Sequence, residues 1–349
     1  APIAALMARR GRRPGISAGM IVAAGGAVVA ASAIGLRSFP LYVLGMFVFG
    51  FGNAGDRLSR YAAADISAPE RRSFSISLVV WAGTIGSVVG PLLLKPVESA
   101  AEAFGFEGLA GPPLLAAIVV TVAAVLAWFG LRPDPLDFVA EPDGRQDRSF
   151  AAVRPLLRSP TVRYAIVALL IGQVVMVLIM TMTPIHIRRA GEDLGIVGLV
   201  IGAHTFGMFA VSPLTGLLAD RVGRFPVMLV GQGVLVVSAV MAAAAGGADR
   251  TLLVVSLFLL GFGWNLGFVA GSAYLTEGAP AHLRVPLQGV ADAVVWTSGA
   301  TASLSSGFLL EASGYSVLSL VGAALVVVPV VLMVRYGARR LYAAPSVAA

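Results

Sequence analysis

The sequence contains no cysteine and only three histidines among its 349 residues. Without cysteine the chain can form neither a disulfide nor a thiolate metal site, and it has no thiol for covalent catalysis. Charged residues make up only 12% of the chain, whereas soluble domains carry roughly a quarter. This scarcity of charge excludes an ordinary soluble globular domain.

Lysine is also almost absent, since Lys95 is the one lysine among 25 basic residues. Such a preference for arginine, together with abundant alanine, glycine and valine, is typical of a bacterial genome rich in G and C. The net charge of +7 indicates cationic loops on the cytoplasmic side of a membrane rather than a nucleic-acid partner. The sequence contains no Walker motif, metal-ligand cluster or Ser/His/Asp arrangement. It therefore predicts no enzyme activity, no metal site and no cofactor.

Long apolar runs dominate the chain, of which 58% is hydrophobic, with a mean hydropathy of +0.88. A membrane-spanning helix needs about 20 mainly apolar residues, and ten runs approach this length. The ten runs are Gly15–Gly35, Phe39–Ala62, Phe74–Leu94, Pro112–Leu131, Val162–Pro184, Leu194–Leu218, Pro226–Gly246, Thr251–Thr276, Leu287–Leu310 and Tyr315–Tyr336. We therefore predict an all-α, multi-pass protein of a bacterial plasma (inner) membrane, surrounded by lipid and present as a monomer.

The basic residues fall on alternate loops, with 20 on one side of the membrane and five on the other. Cytoplasmic loops of membrane proteins carry the excess of arginine and lysine. The side with the excess includes the loop after Leu218 and the C-terminal segment. Both are therefore predicted to be cytoplasmic.

An internal repeat with an offset of 211 residues runs through the chain. The aligned segments are Ala1–Arg10 with Ser212–Arg221, Gly50–Gly52 with Gly261–Gly263, Ala68–Pro69 with Ala279–Pro280 and, after a slip of four residues, Val79–Trp81 with Val294–Trp296. Repeats of this kind are common in membrane transporters.

The repeat leaves the runs Val162–Pro184 and Leu194–Leu218 without upstream counterparts. We therefore predict a parent architecture of six plus six helices, of which the first two are missing at the N-terminus. The predicted domains are a partial, four-helix bundle over residues 1–131, a cytoplasmic linker over 132–160 and a six-helix bundle over 161–349.

A charged turn separates two apolar runs of the second half, with the sequence Gly216-Leu-Leu-Ala-Asp220-Arg221-Val-Gly223-Arg224. It resembles the signature loop of the major facilitator superfamily, and the repeat, topology and linker extend the resemblance over essentially the whole chain. The resemblance implies a bundle of six plus six helices and secondary transport by alternating access. In physical terms, Gly216 permits close helix approach and Gly223 permits a sharp reversal of the chain.

If the family's latch between the two halves applies, Asp220 faces Arg57, Arg60 or the helix start near Ser73. In the first copy of the loop, Arg9 stands where Asp220 stands in the second. Arg9 would then need an acidic partner, for which Asp292 and Glu277 are the candidates. The alternative is that these charges simply anchor the loops in the cytoplasm.

The run Phe74–Leu94 contains Gly86, Gly90 and Pro91, which resemble a Gly-x-x-x-Gly-Pro element of proton-coupled exporters. The usual closing glycine pair is absent, and Met46 occupies the place of an arginine found in many drug exporters. Small residues spaced by four also serve ordinary helix packing. Export is therefore only slightly favoured over uptake.

Polar side chains at membrane depth cost free energy and are default candidates for substrate or proton contact. The candidates are His204, Asp56, Asn53, Gln173, Trp264, Asn265, Trp81 and Trp296. Each of them has an alternative role in helix packing. Asp292 is the strongest acidic candidate of the second half.

Together these features predict a proton-coupled transporter that moves a small organic molecule by alternating access. One alternative is an uptake symporter for a small metabolite. Another, from a different class, is a membrane sensor that binds without transport, or an inactive remnant.

Overall fold

The computed structural model describes residues 2–138, 151–245 and 249–343. Within these ranges the chain forms α-helices joined by short turns and 3-10 segments, and it contains no strand. The helices are α1 (Pro2–Arg10), α2 (Arg12–Gly35), α3 (Phe39–Gly52), α4 (Ala54–Asp65), α5 (Arg72–Ala103), α6 (Gly111–Gly130), α7 (Pro160–Arg189), α8 (Leu194–Phe209), α9 (Ser212–Val222), α10 (Arg224–Ala244), α11 (Arg250–Glu277) and α12 (Arg284–Ala343). The predicted all-α class is confirmed.

Eight segments of the described chain are long and apolar enough to cross a membrane. The predicted run Phe39–Ala62 is not among them because the helix is interrupted at Asn53, which leaves α3 and α4 individually too short. The last two predicted runs form one continuous segment, since α12 contains both and breaks only at Gly314, where φ is 80°. Within the described residues the ten predicted runs therefore all fall on helices, although their division differs, and Gly246 at the end of one run lies outside the described part.

Three helices are preceded by a residue whose side chain accepts a hydrogen bond from a backbone N–H of the first turn. Ser38 accepts a hydrogen bond from the Leu41 N–H at 3.4 Å at the start of α3. Asp193 and Asp249 do the same at 3.0 Å and 2.9 Å at the starts of α8 and α11. Such caps satisfy donors that have no partner within the helix.

Helices α2 and α3 pack with their backbones in close contact. A side chain on Gly45 would place its Cβ 2.5 Å from the Ala30 nitrogen, and one on Gly26 would meet the backbone at Phe49. Small residues at such positions allow close approach, which is the usual way that membrane helices associate.

The chain divides into two compact units. The first comprises Ala1–Pro69, Ala82–Arg154 and Ala279–Val290, and the second comprises Glu70–Trp81, Pro155–Gly278 and Ala291–Ala349. The start of α5 thus belongs with the second unit and the start of α12 with the first. Each unit therefore contains a helix start from the other half of the sequence, and the predicted three-part division of the chain stays a prediction.

Candidate functional site

Asp220, near the end of α9, binds the beginning of α5. One carboxylate oxygen accepts the Ser73 backbone N–H at 3.1 Å, and the other accepts the Phe74 N–H at 2.9 Å. Both donors lie in the first turn of α5, where backbone N–H groups lack partners within the helix and the helix dipole is positive. Of the three partners considered for Asp220, the described contact is therefore with the helix start near Ser73.

Gly216 lies one helical turn before Asp220 and faces the same helix. A Cβ on Gly216 would lie 2.7 Å from the Phe74 Cα and would also meet the Ser77 side chain. Because Cα is part of the backbone, it cannot move aside as a flexible side chain would. The absence of a side chain at Gly216 is thus what permits α9 and α5 to approach closely enough for the Asp220 contact.

Arg224 completes this first group of contacts from the beginning of α10. Gly223 has φ of 106°, a left-handed conformation that favours glycine, and it turns the chain so that Arg224 is buried. The Arg224 Nε–H donates to the Ser73 hydroxyl at 3.0 Å, and its guanidinium lies 3.5 Å from Asp220 and forms an ion pair with Glu277. We call Ser73, Asp220, Arg224 and Glu277 the second-loop cluster.

Arg12 occupies the matching position in the first unit. It follows Gly11, whose φ is 105°, and its side chain is fully buried. Its Nε–H donates to the Asp65 carboxylate at 2.9 Å, and its Nη2 donates to the Gln288 side-chain oxygen at 2.6 Å. We call Arg12, Asp65 and Gln288 the first-loop cluster.

The two clusters have the same plan. Gly223 and Arg224 follow Gly11 and Arg12 by 212 residues. In each cluster the arginine pairs with a carboxylate on the last residue of a helix, α4 or α11, and with a polar side chain near the beginning of another, α12 or α5. The internal repeat therefore extends to these two ion pairs, although the Glu277 side chain is exposed whereas Asp65 is buried.

The sequence prediction missed the first-loop cluster because it aligned the loops without a gap. At an offset of 211 residues Arg9 stands under Asp220, whereas at 212 the segments Gly11–Pro14 and Gly223–Pro226 share the pattern Gly-Arg-x-Pro. Arg9 itself is exposed, and Glu277, one of the two acids considered for it, pairs with Arg224. A one-residue gap in the alignment would have revealed the match.

The other predicted latch residues lie in different settings. Arg221 is exposed, Arg57 is half-buried, and Asp292 is buried within α12. The backbone carbonyl of Arg57 accepts a hydrogen bond from Arg60, whose guanidinium also stacks on Tyr61 with 4.2 Å between its central carbon and the ring centre.

His204 lies buried where α8 crosses α11. Its Nδ1 is 2.9 Å from the Leu257 carbonyl oxygen, and its Nε2 has no hydrogen-bond partner among the described residues. The crossing is tight, because a Cβ on Gly261 would lie 2.9 Å from the Met208 nitrogen. The imidazole therefore joins two helices through one nitrogen, and the other nitrogen is buried without a hydrogen-bond partner among the described residues.

Gln173 and Trp264 come together between α7 and α11. The Trp264 indole N–H donates to the Gln173 side-chain oxygen at 2.9 Å, and both side chains are almost fully buried. The Trp264 ring also stacks on Phe268 with centroids 4.4 Å apart. Two of the residues predicted to lie on a substrate or proton pathway thus form a direct contact.

Asn265 bridges the interruption between α8 and α9. Its amide donates to the Met208 carbonyl at 2.6 Å and to the Ser212 hydroxyl, and its side-chain oxygen accepts the Thr215 hydroxyl at 2.6 Å. The side chain therefore satisfies the polar groups where the helix ends and restarts.

The remaining candidates lie in other settings. Asp56 and Trp81 are exposed, whereas Asn53 and Trp296 are half-buried. A Cβ on Gly86 or Gly90 would meet no atom within 4 Å, so neither glycine lies at a helix contact in the described structure. Pro91 lies in the same helix, and its side chain is outside the described part.

Comparison with known proteins places these features in a family. The sequence profile of the Major Facilitator Superfamily matches residues 1–303 and 190–345. The chain is 35% identical over 337 residues to the uncharacterized MFS-type transporter YdeG of Bacillus subtilis, covering 95% of this chain and 78% of the relative. It is 30% identical over 340 residues to the riboflavin transporter RfnT of Brucella anthropi, covering 96% and 82%.

Solved structures have the same fold at low sequence identity. The outward conformation of the MFS transporter FucP matches with a TM-score of 0.75 and 15% identity, covering 95% of this chain and 85% of that one. The human organic anion transporter TETRAN matches with a TM-score of 0.74 and 19% identity, covering 95% and 79%.

Proposed function

The chain belongs to the Major Facilitator Superfamily, and from this premise we propose that it moves a small organic molecule by proton-coupled alternating access. It is a multi-pass membrane transporter of that family. The observation that carries the mechanistic proposal is the pair of matching clusters at the two Gly-Arg turns. We propose that they act as latches that hold helix starts in one transport state and release them in the other.

The chemistry of the clusters supports this role. Arg12 and Asp65 are both removed from solvent, and buried charges require well-placed partners to offset the loss of hydration. Each latch also includes a side chain from the start of a helix in the other half of the sequence, Gln288 or Ser73. If a helix start moves away, water can hydrate the exposed charges, so both the formed and the released latch are accessible states. A ligand shifts such an equilibrium only through its different affinity for the two states.

We propose His204 as the proton-coupling residue, with Asp56 and Asp292 as further candidates. An ionisable side chain at membrane depth is by default a functional candidate, and histidine changes charge within the physiological pH range when unperturbed. The free Nε2 of His204 can accept a proton without breaking its contact with Leu257. Protonation would then alter the packing of α8, which continues into the latch-bearing helix α9.

The proposed direction is export into the medium, with the C-terminus in the cytoplasm of a bacterial inner membrane. The Gly86–Pro91 element favours export, and the distribution of arginines supports the orientation. Uptake of a metabolite is the second candidate, and the 30% identity with a riboflavin transporter supports testing riboflavin first. Gln173, Trp264, Asn53 and the repeat-related Trp81 and Trp296 are the proposed substrate contacts.

A transport assay in proteoliposomes tests these proposals directly. Riboflavin and a panel of other small organic molecules would be offered with and without an imposed pH gradient. We expect accumulation against a concentration gradient that collapses when a protonophore is added. Specific binding without any flux would instead identify a sensor, and flux unaffected by the protonophore would refute proton coupling.

A further inference from the structure

An apolar groove runs along the outside of the first unit between α1, α2 and α6. It encloses about 460 Å³ and is lined by aliphatic and aromatic side chains that include Leu6, Ile21, Val125 and Phe129. Among the described residues, Arg10 is the one charged residue on its wall. The groove is therefore amphipathic, with a long apolar part and a cation at the end of α1.

Further cations and aromatic rings surround the same end of the groove. The Arg13 guanidinium lies 4.8 Å from the Trp128 ring centre, and the Arg132 guanidinium lies 5.5 Å from that of Phe129. Trp128 itself lines the groove. Tryptophan is enriched at the boundary between lipid tails and headgroups. The residues at the mouth of the groove are therefore of the kind expected at a membrane surface.

The Asp134 carboxylate beside Arg12 and Arg13 binds backbone groups. Asp134 accepts the backbone N–H groups of Arg12 and Arg13 at 3.0 Å and 2.9 Å and that of Leu136 at 2.9 Å. The oxygens of Asp134 therefore cap the start of α2 instead of pairing with the arginine side chains. The Arg13 Nε has no hydrogen-bond partner among the described residues, and the exposed Arg10 is free to turn towards a ligand.

We propose that the groove binds an anionic phospholipid, with one acyl chain along its apolar wall and the phosphate held by Arg10 and Arg13. Basic pockets between helices on the cytoplasmic side of a membrane are suited to anionic lipid headgroups. The groove lies at the end of α2 that the arginine distribution assigns to the cytoplasm. Arginine also suits this role because its planar group can contact an aromatic ring and a phosphate together.

The counterpart of α2 in the second repeat is α10, and its packing indicates which face of α2 is free to meet lipid. There α7 packs on α10 through the Tyr164–Phe225 ring contact, with centroids 6.4 Å apart, and through the Gln232–Ala168 hydrogen bond of 3.2 Å. The positions that correspond to the groove residues Pro14 and Ala18 are Pro226 and Val230 at an offset of 212, and both are exposed. By analogy, the groove lies on the face of α2 whose counterpart on α10 is exposed.

Quenching of tryptophan fluorescence by brominated lipid tails provides a direct test. The full chain would be placed in nanodiscs containing brominated phosphatidylglycerol or brominated phosphatidylcholine, and the Trp128 signal would be taken as the difference from Trp128→Phe. We expect stronger quenching by phosphatidylglycerol than by phosphatidylcholine. Arg10→Ala should reduce the apparent preference about fivefold, the change expected for one arginine at a lipid surface.

Two variants separate a specific site from general surface charge. Arg10→Lys should retain most of the preference because it keeps the charge. Arg9→Ala removes the neighbouring exposed arginine, which does not line the groove, and should leave the preference unchanged. Equal quenching by both lipids in the unmodified chain, or equal losses in Arg9→Ala and Arg10→Ala, would refute the proposal.

Two further results would assign the groove to another occupant. Absence of quenching by either lipid, with a dimer detected by light scattering, would indicate that a second copy of the chain covers it. Loss of the lipid preference on addition of inorganic phosphate at constant ionic strength would indicate a simple anion site. Either result overturns the lipid assignment.

Discussion

Arg12 and Asp65 form an ion pair in which Nη2 lies 2.8 Å from the carboxylate and neither side chain is exposed to solvent. The two residues come from different helices, α2 and α4. The same arginine also donates to Gln288. A single buried guanidinium thus connects three helices of the first unit, which makes its loss easy to detect.

Asp65→Leu should destabilise the protein by about 3–5 kcal/mol, because it leaves the Arg12 charge buried without its partner. The double variant Arg12→Met, Asp65→Leu should be less destabilised than Asp65→Leu alone, since an apolar pair carries no uncompensated charge. Thermal unfolding in detergent, followed by circular dichroism, measures both. Arg37→Ala breaks the exposed pair with Glu107 and should leave the unfolding temperature nearly unchanged. Equal unfolding temperatures for all variants would contradict the importance of the buried pair.

Asp220→Ala should weaken the attachment of α9 to α5 by about 1 kcal/mol or somewhat more, as for loss of a helix cap. In transport, this shifts the balance of states towards the released latch and lowers the rate of uphill accumulation. Initial rates in proteoliposomes measure the effect. Arg221→Ala removes the adjacent, exposed charge, and this variant should transport at the normal rate. A normal rate in Asp220→Ala at equal protein content would remove Asp220 from the proposed latch.

Gly216→Ala should cost about 1–3 kcal/mol, because its Cβ would lie 2.7 Å from the Phe74 Cα and force α9 away from α5. Gly86→Ala is the matched control, since its Cβ would meet no atom within 4 Å. That variant should be neutral or gain up to about 1 kcal/mol from the lower flexibility of alanine. Thermal unfolding should separate the two substitutions. Similar behaviour of the two would show that close contact at Gly216 is unimportant.

His204→Gln should abolish accumulation driven by a pH gradient to the background level while downhill exchange of substrate continues. Glutamine can still donate a hydrogen bond towards the Leu257 carbonyl, but it has no group that titrates. His186→Gln is the control, because that ring lies in the last turn of α7 and stacks on Tyr315 with 4.2 Å between centroids. Loss of both exchange and folded protein in His204→Gln would instead assign the histidine to helix packing. Unchanged coupling would also exclude His204 as the proton carrier.

The second-loop cluster was partly predictable from its sequence pattern. Three residues of the loop each meet a local requirement. Gly216 permits close helix approach, Asp220 supplies a carboxylate at a helix end, and Gly223 adopts a positive φ. Such requirements leave a signature within a few residues of chain. The partner Glu277 is not marked in this way, since any carboxylate brought to the same place would serve.

The first-loop cluster was not predicted. Arg12 lies in a run of arginines, and in the sequence only the pattern Gly-Arg-x-Pro that it shares with Gly223–Pro226 distinguishes it from its neighbours. Its partners Asp65 and Gln288 are 53 and 276 residues away. Only the packing of α2 against α4 and the start of α12 selects Arg12 for burial and leaves Arg9 exposed.

The sequence by itself determined the all-α membrane class, the positions of the apolar helices and the location of the signature loop. These properties depend on local composition, because a helix of about 20 apolar residues is stable in a bilayer whatever its neighbours are. The tertiary structure alone decided which arginines are buried, that His204 lies against Leu257, and that an apolar groove ends at Arg10. Those features arise from contacts between distant segments, and the free energy of a charge in such a place depends on partners that only the folded chain brings together.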